Sequence, residues 1–356
     1  MTRRLSRLLA LGIATVAATL YIILPVQAAP SRPPPNEDTH WNNIACNPIG
    51  PDGRFRRPVV LLHGLFANGE KNGVWAPMAR FLIKRHFCVF SLTYGAKVDI
   101  AGGVAQVKGG DSGLAGLGGL DDIEKSVREV KLFVERTSRL MGGYKMDIVA
   151  HSEGTVVTRG SLKALSAASV VDRVVLISPV GRGTTLNGLL PTLRRLGLIP
   201  LGEMAVKMTG LKSLYQMAEG SEYLKSLGES LPDVQYLQIL TRCDEVITPP
   251  ENGLLKNSQG QIVTSSPPPS PPSCSCLPCS LPSSLLSTLS PSSSVSSGAG
   301  AGKAGDASSS NVLNQWLQDW CPCDRSGHME LLKSRVVFAG VLQFLDPEAR
   351  VEILCR

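Results

Sequence analysis

Five strand-length runs rich in apolar residues most constrain how this chain can fold: Pro58-Val59-Val60-Leu61-Leu62, Phe87 to Leu92, Met146 to Val149, Arg173 to Ile177 and Val234 to Leu240. A strand with one face in water alternates polar and apolar residues, whereas these runs are nearly continuous, as strands covered on both faces are. The segments between them change period. Trp75 to Arg85 and Gly154 to Leu165 have helical spacing, and Asp122 to Met141 places Ile123, Val127, Val130, Leu132, Phe133 and Leu140 on a helical pattern, with Asp121 and Asp122 favouring its start. Strand alternating with helix predicts an α/β class, with a mostly parallel central sheet and helices on both faces. At 356 residues and 43% apolar content the chain can fill the core of one such domain.

Two stretches leave this pattern. The amino terminus has Arg3, Arg4 and Arg7, an apolar run from Leu8 to Leu24, and small residues up to Ala28, the three parts of a secretory signal peptide over 1–28. An uncleaved membrane anchor is the alternative, since the apolar run approaches a spanning length. Residues 265–310 are dominated by Ser, Pro and Gly and bury little apolar surface, which predicts a disordered insert between a first part of the domain, 29–264, and a C-terminal part, 311–356.

The formal net charge is +7, three units of it on Arg3, Arg4 and Arg7, and no Lys/Arg run with interleaved aromatics occurs, so nucleic acid is not expected as a partner. Nine cysteines fit an oxidising, extracellular compartment, and their odd number leaves at least one unpaired or paired outside the chain. Cys274, Cys276 and Cys279 lie in the Pro/Ser tract without a fourth ligand nearby, so no metal site is expected there.

Ala150-His151-Ser152-Glu153-Gly154 directly follows the run Met146 to Val149 and precedes a helical segment. A small-x-Ser-x-Gly turn between strand and helix exposes a serine hydroxyl while small residues two places away let strand and helix pass closely. Ala150 stands where Gly is commoner. Ser294 to Gly298 nearly imitates the pattern inside the insert, so context decides, and only Ser152 has it.

A serine hydroxyl needs an imidazole to take its proton and a carboxylate to orient that imidazole. Of five histidines, His328 sits in a polar loop ahead of the last helical segment, and the chain order Ser, acid, His is the one this elbow uses. Asp244 ends the run Val234 to Leu240 after Thr241-Arg242-Cys243 and is the first choice for the acid; Glu245 is the adjacent alternative, and Asp324 a second one, read as a loop residue holding backbone N–H groups. Donors to a developing oxyanion are expected from the backbone N–H of Glu153, after the serine, and of Leu65, in the turn His63-Gly64-Leu65-Phe66. No cofactor is called for.

Taken together, Pro58 to Gly64 with Trp75, Phe87 to Gly95, the elbow, Gln216 with Gly220-Ser221-Glu222, Thr241 to Pro249, and Gln318 to His328 resemble the class 2 family of secreted microbial lipases, from about Trp41 to the end of the chain without the insert. The resemblance implies the α/β-hydrolase fold, a serine esterase acting on acylglycerols, the triad Ser152, Asp244 and His328, and disulfides Cys46–Cys88 and Cys243–Cys321. It leaves Cys274, Cys276, Cys279, Cys323 and Cys355 without assigned partners. The same triad also serves acyl transfer to an alcohol, and a non-catalytic lipid- or partner-binding protein on this fold is the rival from another class. The expected partner is a lipid or ester substrate at a lipid–water interface, with no obligate protein partner.

Two stretches bear on access to the serine. Leu186 to Met217 has Leu189, Leu190, Leu193 and Leu196 at helical spacing with Arg194, Arg195, Lys207 and Lys212 elsewhere, a pattern that fits a mobile cover or ordinary amphipathic packing. Gly102 to Gly119 has the composition of a second, flexible wall.

Overall fold

Residues 35–96, 98–101, 104–107, 116–165, 170–185, 212–265 and 310–355 are described by the computed structural model. The signal-peptide stretch, nearly all of the insert and residues 186–211 of the amphipathic stretch lie outside them.

The apolar runs form strands β1 (Val59–Leu62), β2 (Val89–Ser91), β5 (Met146–His151), β6 (Val171–Ile177) and β7 (Gln235–Leu240), joined by β8 (Val312–Trp316). They make one six-stranded sheet in the order β2-β1-β5-β6-β7-β8, with every neighbour parallel. Period-two alternation sends successive side chains to opposite faces. Val60, Leu62, Ile148, Ala150, Val174 and Leu176 meet helices α3 (Ile123–Leu140) and α4 (Glu153–Ala164) in one core. Val59, Leu61, Val149, Val175, Ile177 and Leu237 meet α2 (Ala76–Ile83) and α8 (Arg335–Leu345) in the other. Each fully buried aliphatic side chain contributes ~1.5–3 kcal/mol relative to exposure, so both faces must be apolar. The helices start where the chain supplies a cap: Asp122 Oδ1 accepts the Glu124 N–H at 3.0 Å for α3, and Ser334 Oγ the Val337 N–H at 3.4 Å for α8.

Shorter elements complete the set: α1 (Glu37–His40), the antiparallel pair β3 (Val98–Ala101) and β4 (Val104–Val107), α5 (Lys212–Gln216), α6 (Glu222–Leu227) and α7 (Leu317–Trp320). The glycine-rich stretch is therefore partly strand: β4 lies within it, Val104 to Val107 pairing antiparallel with Val98 to Ala101 of β3.

The chain builds outward from β1 to β2 on one side, then returns to lay β5 against the other side of β1 before adding β6, β7 and β8. This reversal leaves a crevice outside the carboxyl ends of β1 and β5, the place where open parallel sheets bind ligands. The arrangement is that of the α/β-hydrolase fold, with the turn after β5 entering α4 at its centre.

Strand β8 reads Val-Leu-Asn-Gln-Trp and lacks the apolar continuity of the others. Its buried Asn314 replaces apolar packing with hydrogen bonds: the side chain donates to Leu255 O (3.0 Å) and Val263 O (2.9 Å) and accepts the Leu255 N–H (3.0 Å), tying the segment after β7 to the sheet.

Cys46–Cys88 forms as the resemblance implied, with Cα atoms 5.8 Å apart, and anchors the segment before β1 to the start of β2. Cys243–Cys321 does not. Cys321 pairs with Cys355 at a Cα separation of 5.4 Å, because the segment after α8 folds back on α7, where Trp320 fills the space left by Gly340. Cys243 and Cys323 are disulfide-bonded as well.

Candidate active site

The turn after β5 has little steric freedom. Ser152 adopts φ 55°, ψ −125°, a left-handed conformation that costs on the order of 1–3 kcal/mol for a residue with a side chain. Its N–H bonds Ile177 O (3.1 Å), and its carbonyl accepts the Thr155 hydroxyl (2.6 Å), so neighbouring strand and helix hold it there. Two glycines are obligatory around it. A Cβ on Gly154 would lie 2.5 Å from Leu62 O, and one on Gly64 would lie 2.9 Å from Ser152 Cβ. Ala150, by contrast, sits fully buried inside β5 opposite Leu62 and Leu176, where a methyl group packs into the core; this is why the position accepts Ala.

His328 lies in the loop after α7, its ring buried. Nδ1 meets Asp244 Oδ1 at 3.0 Å and Oδ2 at 3.1 Å; with Nδ1 donating, a neutral ring keeps Nε2 as an acceptor. Asp244 Oδ1 also accepts the N–H groups of Ile247 (2.7 Å) and Val246 (2.9 Å). Burial alone would raise the Asp244 carboxyl, but the His328 hydrogen bond and charge and these two donors outweigh it and hold the group below the ordinary aspartate value. The two alternatives to Asp244 do other things: Glu245 Oε2 accepts the His328 backbone N–H (2.9 Å), and Asp324 Oδ1 that of Ser326 (2.8 Å).

The link between acid loop and histidine loop is built from side chains. Gln318 donates to Thr241 Oγ1 (2.9 Å) and Asp324 O (2.9 Å) and accepts the Arg242 N–H (3.0 Å), while Thr241 Oγ1 donates to Ser326 O (2.7 Å). His151 adds a support that the sequence alone did not single out. Burial first, then the His328 ring, push its pKa down to about 3, and the neutral ring's Nε2 donates to His328 O at 3.0 Å. Its only sequence signal was a place inside the elbow.

Ser152 and His328 line one cavity of about 200 Å³ together with Gly64 and Leu65, its remaining wall largely apolar: Val74, Val180, Leu214, Met217, Ile247 and Leu332 among others. No hydrogen bond joins Ser152 Oγ to His328 Nε2 among the described contacts; such bonds are often long in unliganded sites and tighten with substrate. Leu214 and Met217 come from α5 and the turn after it, so the described end of the 186–217 stretch forms wall. Among the described residues the N–H groups of Leu65 and Glu153 find no protein acceptor, whereas the Phe66 N–H is taken by Gly118 O (3.1 Å). A groove of about 600 Å³ between α2 and α8 is larger but has neither serine nor histidine in its lining. A cavity of about 350 Å³ beside Arg159 includes Ser221, whose hydroxyl is bound to Gln216 O (2.6 Å). Chemistry, not size, singles out the Ser152 cavity.

No family model matches the chain, and a search of curated proteins finds no relative. Among solved structures it is similar to lipase B of Aspergillus fumigatus, at 16% identity and a TM-score of 0.46, over 82% of this chain and 52% of that one. It is also similar to the mature form of a Bacillus licheniformis lipase, at 16% identity and a TM-score of 0.36, over 52% of this chain and 66% of the other. A third is a lipase-esterase related protein of Clostridium acetobutylicum, at 16% identity and a TM-score of 0.33, over 55% and 79%. The chain spans about half the length of the Aspergillus protein.

Proposed function

We propose that this protein is a secreted serine esterase of lipase type, hydrolysing carboxylic esters of acylglycerols through an acyl-enzyme on Ser152. The observation that carries the reading is one constellation: a serine held at φ 55° shares an apolar-walled cavity with a histidine whose Nδ1 lies 3.0 Å from a buried aspartate, beside two backbone N–H groups without acceptors. Ser152 Oγ attacks the ester carbonyl while His328 Nε2 takes its proton. Asp244 orients the ring and stabilises the imidazolium, and the Leu65 and Glu153 N–H groups receive the oxyanion, each donor worth ~2.7–4 kcal/mol of barrier. The imidazolium then protonates the leaving alcohol. Water, deprotonated by His328, attacks the acyl-enzyme, and the carboxylic acid departs as Ser152 regains its proton.

The apolar wall favours an aliphatic acyl group over a polar one. Disulfides and the signal-peptide pattern of residues 1–28 support export. The test is hydrolysis of p-nitrophenyl esters of short and long acyl chains, and of emulsified triacylglycerol, by the mature protein beside Ser152→Ala. Turnover of long chains and emulsion that vanishes in the variant supports a lipase. Turnover of short soluble esters only narrows the reading to an esterase, and full turnover by Ser152→Ala sinks it.

A further inference from the structure

Glu153 directly follows the serine, and its side chain is completely buried, yet neither carboxyl oxygen has a hydrogen-bond partner. A buried carboxylate without partner or counter-ion is too costly to keep charged, so this group holds its proton. Its surroundings are specific. A Cβ on Gly119 would lie 2.6 Å from Glu153 Oε2 and 3.1 Å from Leu65 Cα, so the carboxyl reaches the turn at Gly118-Gly119 where that turn meets the Leu65 loop. Gly119 takes φ 71° to leave this space.

The same turn is bonded to the Leu65 loop through Phe66 N–H to Gly118 O (3.1 Å) and Gly118 N–H to Ala67 O (2.7 Å). It is bonded to α5 through Ser213 Oγ to Gly119 O (2.8 Å). The carboxyl thus spans from the elbow, which supplies one proposed oxyanion donor, to the turn that braces the other.

We propose that Glu153 is a positioning residue whose uncharged carboxyl, wedged between the elbow and the Gly118-Gly119 turn, keeps the Leu65 and Glu153 N–H groups in register and free of a neighbouring negative charge. The inference rests on the esterase reading of the site. Ionisation of Glu153 would set a second anion beside the developing oxyanion and oppose the step those donors assist. The titratable groups facing it are Tyr94, from the segment after β2, and His63, which meets the same turn at Gly118. Burial, and then repulsion from Glu153 once that carboxyl ionises, raises the Tyr94 hydroxyl well above its ordinary value, and burial lowers His63 to about 4, so neither changes charge from neutral to mildly alkaline pH. Burial alone pushes the Glu153 carboxyl well up from the ordinary glutamate range.

The experiment is a pH profile of kcat and KM on a short-chain p-nitrophenyl ester for wild type, Glu153→Gln, Glu153→Ala and Tyr94→Phe. It is paired with infrared spectra of the protonated-carboxyl stretch of wild type, Glu153→Gln and Asp147→Asn. Glu153→Ala should lower kcat by about tenfold at every pH, less than the ~10²–10³ for loss of a donor outright, with KM little moved. Glu153→Gln, uncharged and of the same shape, should recover most of that loss and lack the alkaline fall of wild type, a fall that Tyr94→Phe keeps. A protonated-carboxyl band should disappear in Glu153→Gln and persist in Asp147→Asn. A wild-type profile that superposes on that of Glu153→Gln, or spectra without a band belonging to Glu153, overturns the proposal. If instead Ser152→Ala keeps its turnover, the esterase reading has failed, and the infrared band alone still decides whether Glu153 is protonated.

Discussion

Strand β5 has a buried acid at each end, and the protein treats the two in opposite ways. Asp147, at its start, sits among cations: Oδ1 accepts the Arg173 N–H (3.1 Å), Arg57 and Arg173 lie near, and Oδ2 has no hydrogen-bond partner. Burial outweighs those cations and lifts its pKa to about 7. Glu153, just past the other end, has no cation acting on it, and burial acts unopposed. The cationic frame leaves the first acid titratable near neutrality, whereas the second keeps its proton through neutrality and gives it up only on the alkaline side. At the amino end of the strand, charge is coupled to stability; at the carboxyl end, strain and orphaned groups are concentrated around Ser152.

If that division is right, changes at the carboxyl end cost activity and changes at the amino end cost pH-dependent stability. The largest effect expected is from Asp244→Asn, which keeps the shape but removes the charge opposite His328. kcat should fall by ~10⁴-fold, with a melting-temperature shift of under about 5 °C. A loss of less than tenfold would remove Asp244 from the mechanism.

Gly154→Ala probes the elbow as a piece of structure. Its Cβ would press on Leu62 O at 2.5 Å and His63 O at 2.6 Å, so stability should drop by ~1–3 kcal/mol together with activity, read by thermal melts and ester turnover. Wild-type behaviour in both would mean that strand and helix can separate there.

The smallest effect is the one that sharpens the contrast most. An aspartate whose pKa is about 7 folded and near 3.8 unfolded holds a proton the unfolded chain has lost, so stability falls as pH rises through that window. His63 and His151, lowered by burial to about 4 and about 3, act in reverse: the unfolded chain binds the protons, and stability rises with pH up to about 6.5. Wild type should therefore show partly cancelling slopes between about pH 4 and 6.5. Glu153, protonated when folded and ionised when unfolded, adds the same fall above about pH 4.5 to both proteins, so Asp147→Asn should show a steeper rise there and a shallower decline from 6.5 to 7 in denaturant titrations across pH. Identical slopes in the two proteins would mean that Asp147 titrates normally when folded.

Much of this was legible along the chain. Strand and helix positions followed from periodicity within a residue or two, as in Asp122–Met141 against the observed Ile123–Leu140, because period two and period 3.6 report burial on a sheet and on a helix. Ser152, Asp244 and His328 could be named as candidates because a nucleophile elbow needs a particular turn and the acid and histidine must follow strands in a set order. What escaped lacked a local signature. β8 carries Asn314 and Gln315, which break the apolar continuity of a strand, and only the distant segment around Leu255 and Val263 satisfies the buried Asn314 amide. Cys321 has several partners within chain reach, and only the path of the segment after α8 selects Cys355.

By itself, then, the sequence determined the layered parallel architecture and the strained position of Ser152, since both arise from sterics and solvation acting over a few neighbouring residues. Tertiary structure alone decided that His328 reaches Asp244, that His151 braces the loop beneath it, and that Glu153 lies sealed against the Gly118-Gly119 turn. Those outcomes depend on which distant segments exclude water from a group and which leave it a partner, and no property of the group's own sequence neighbours sets that.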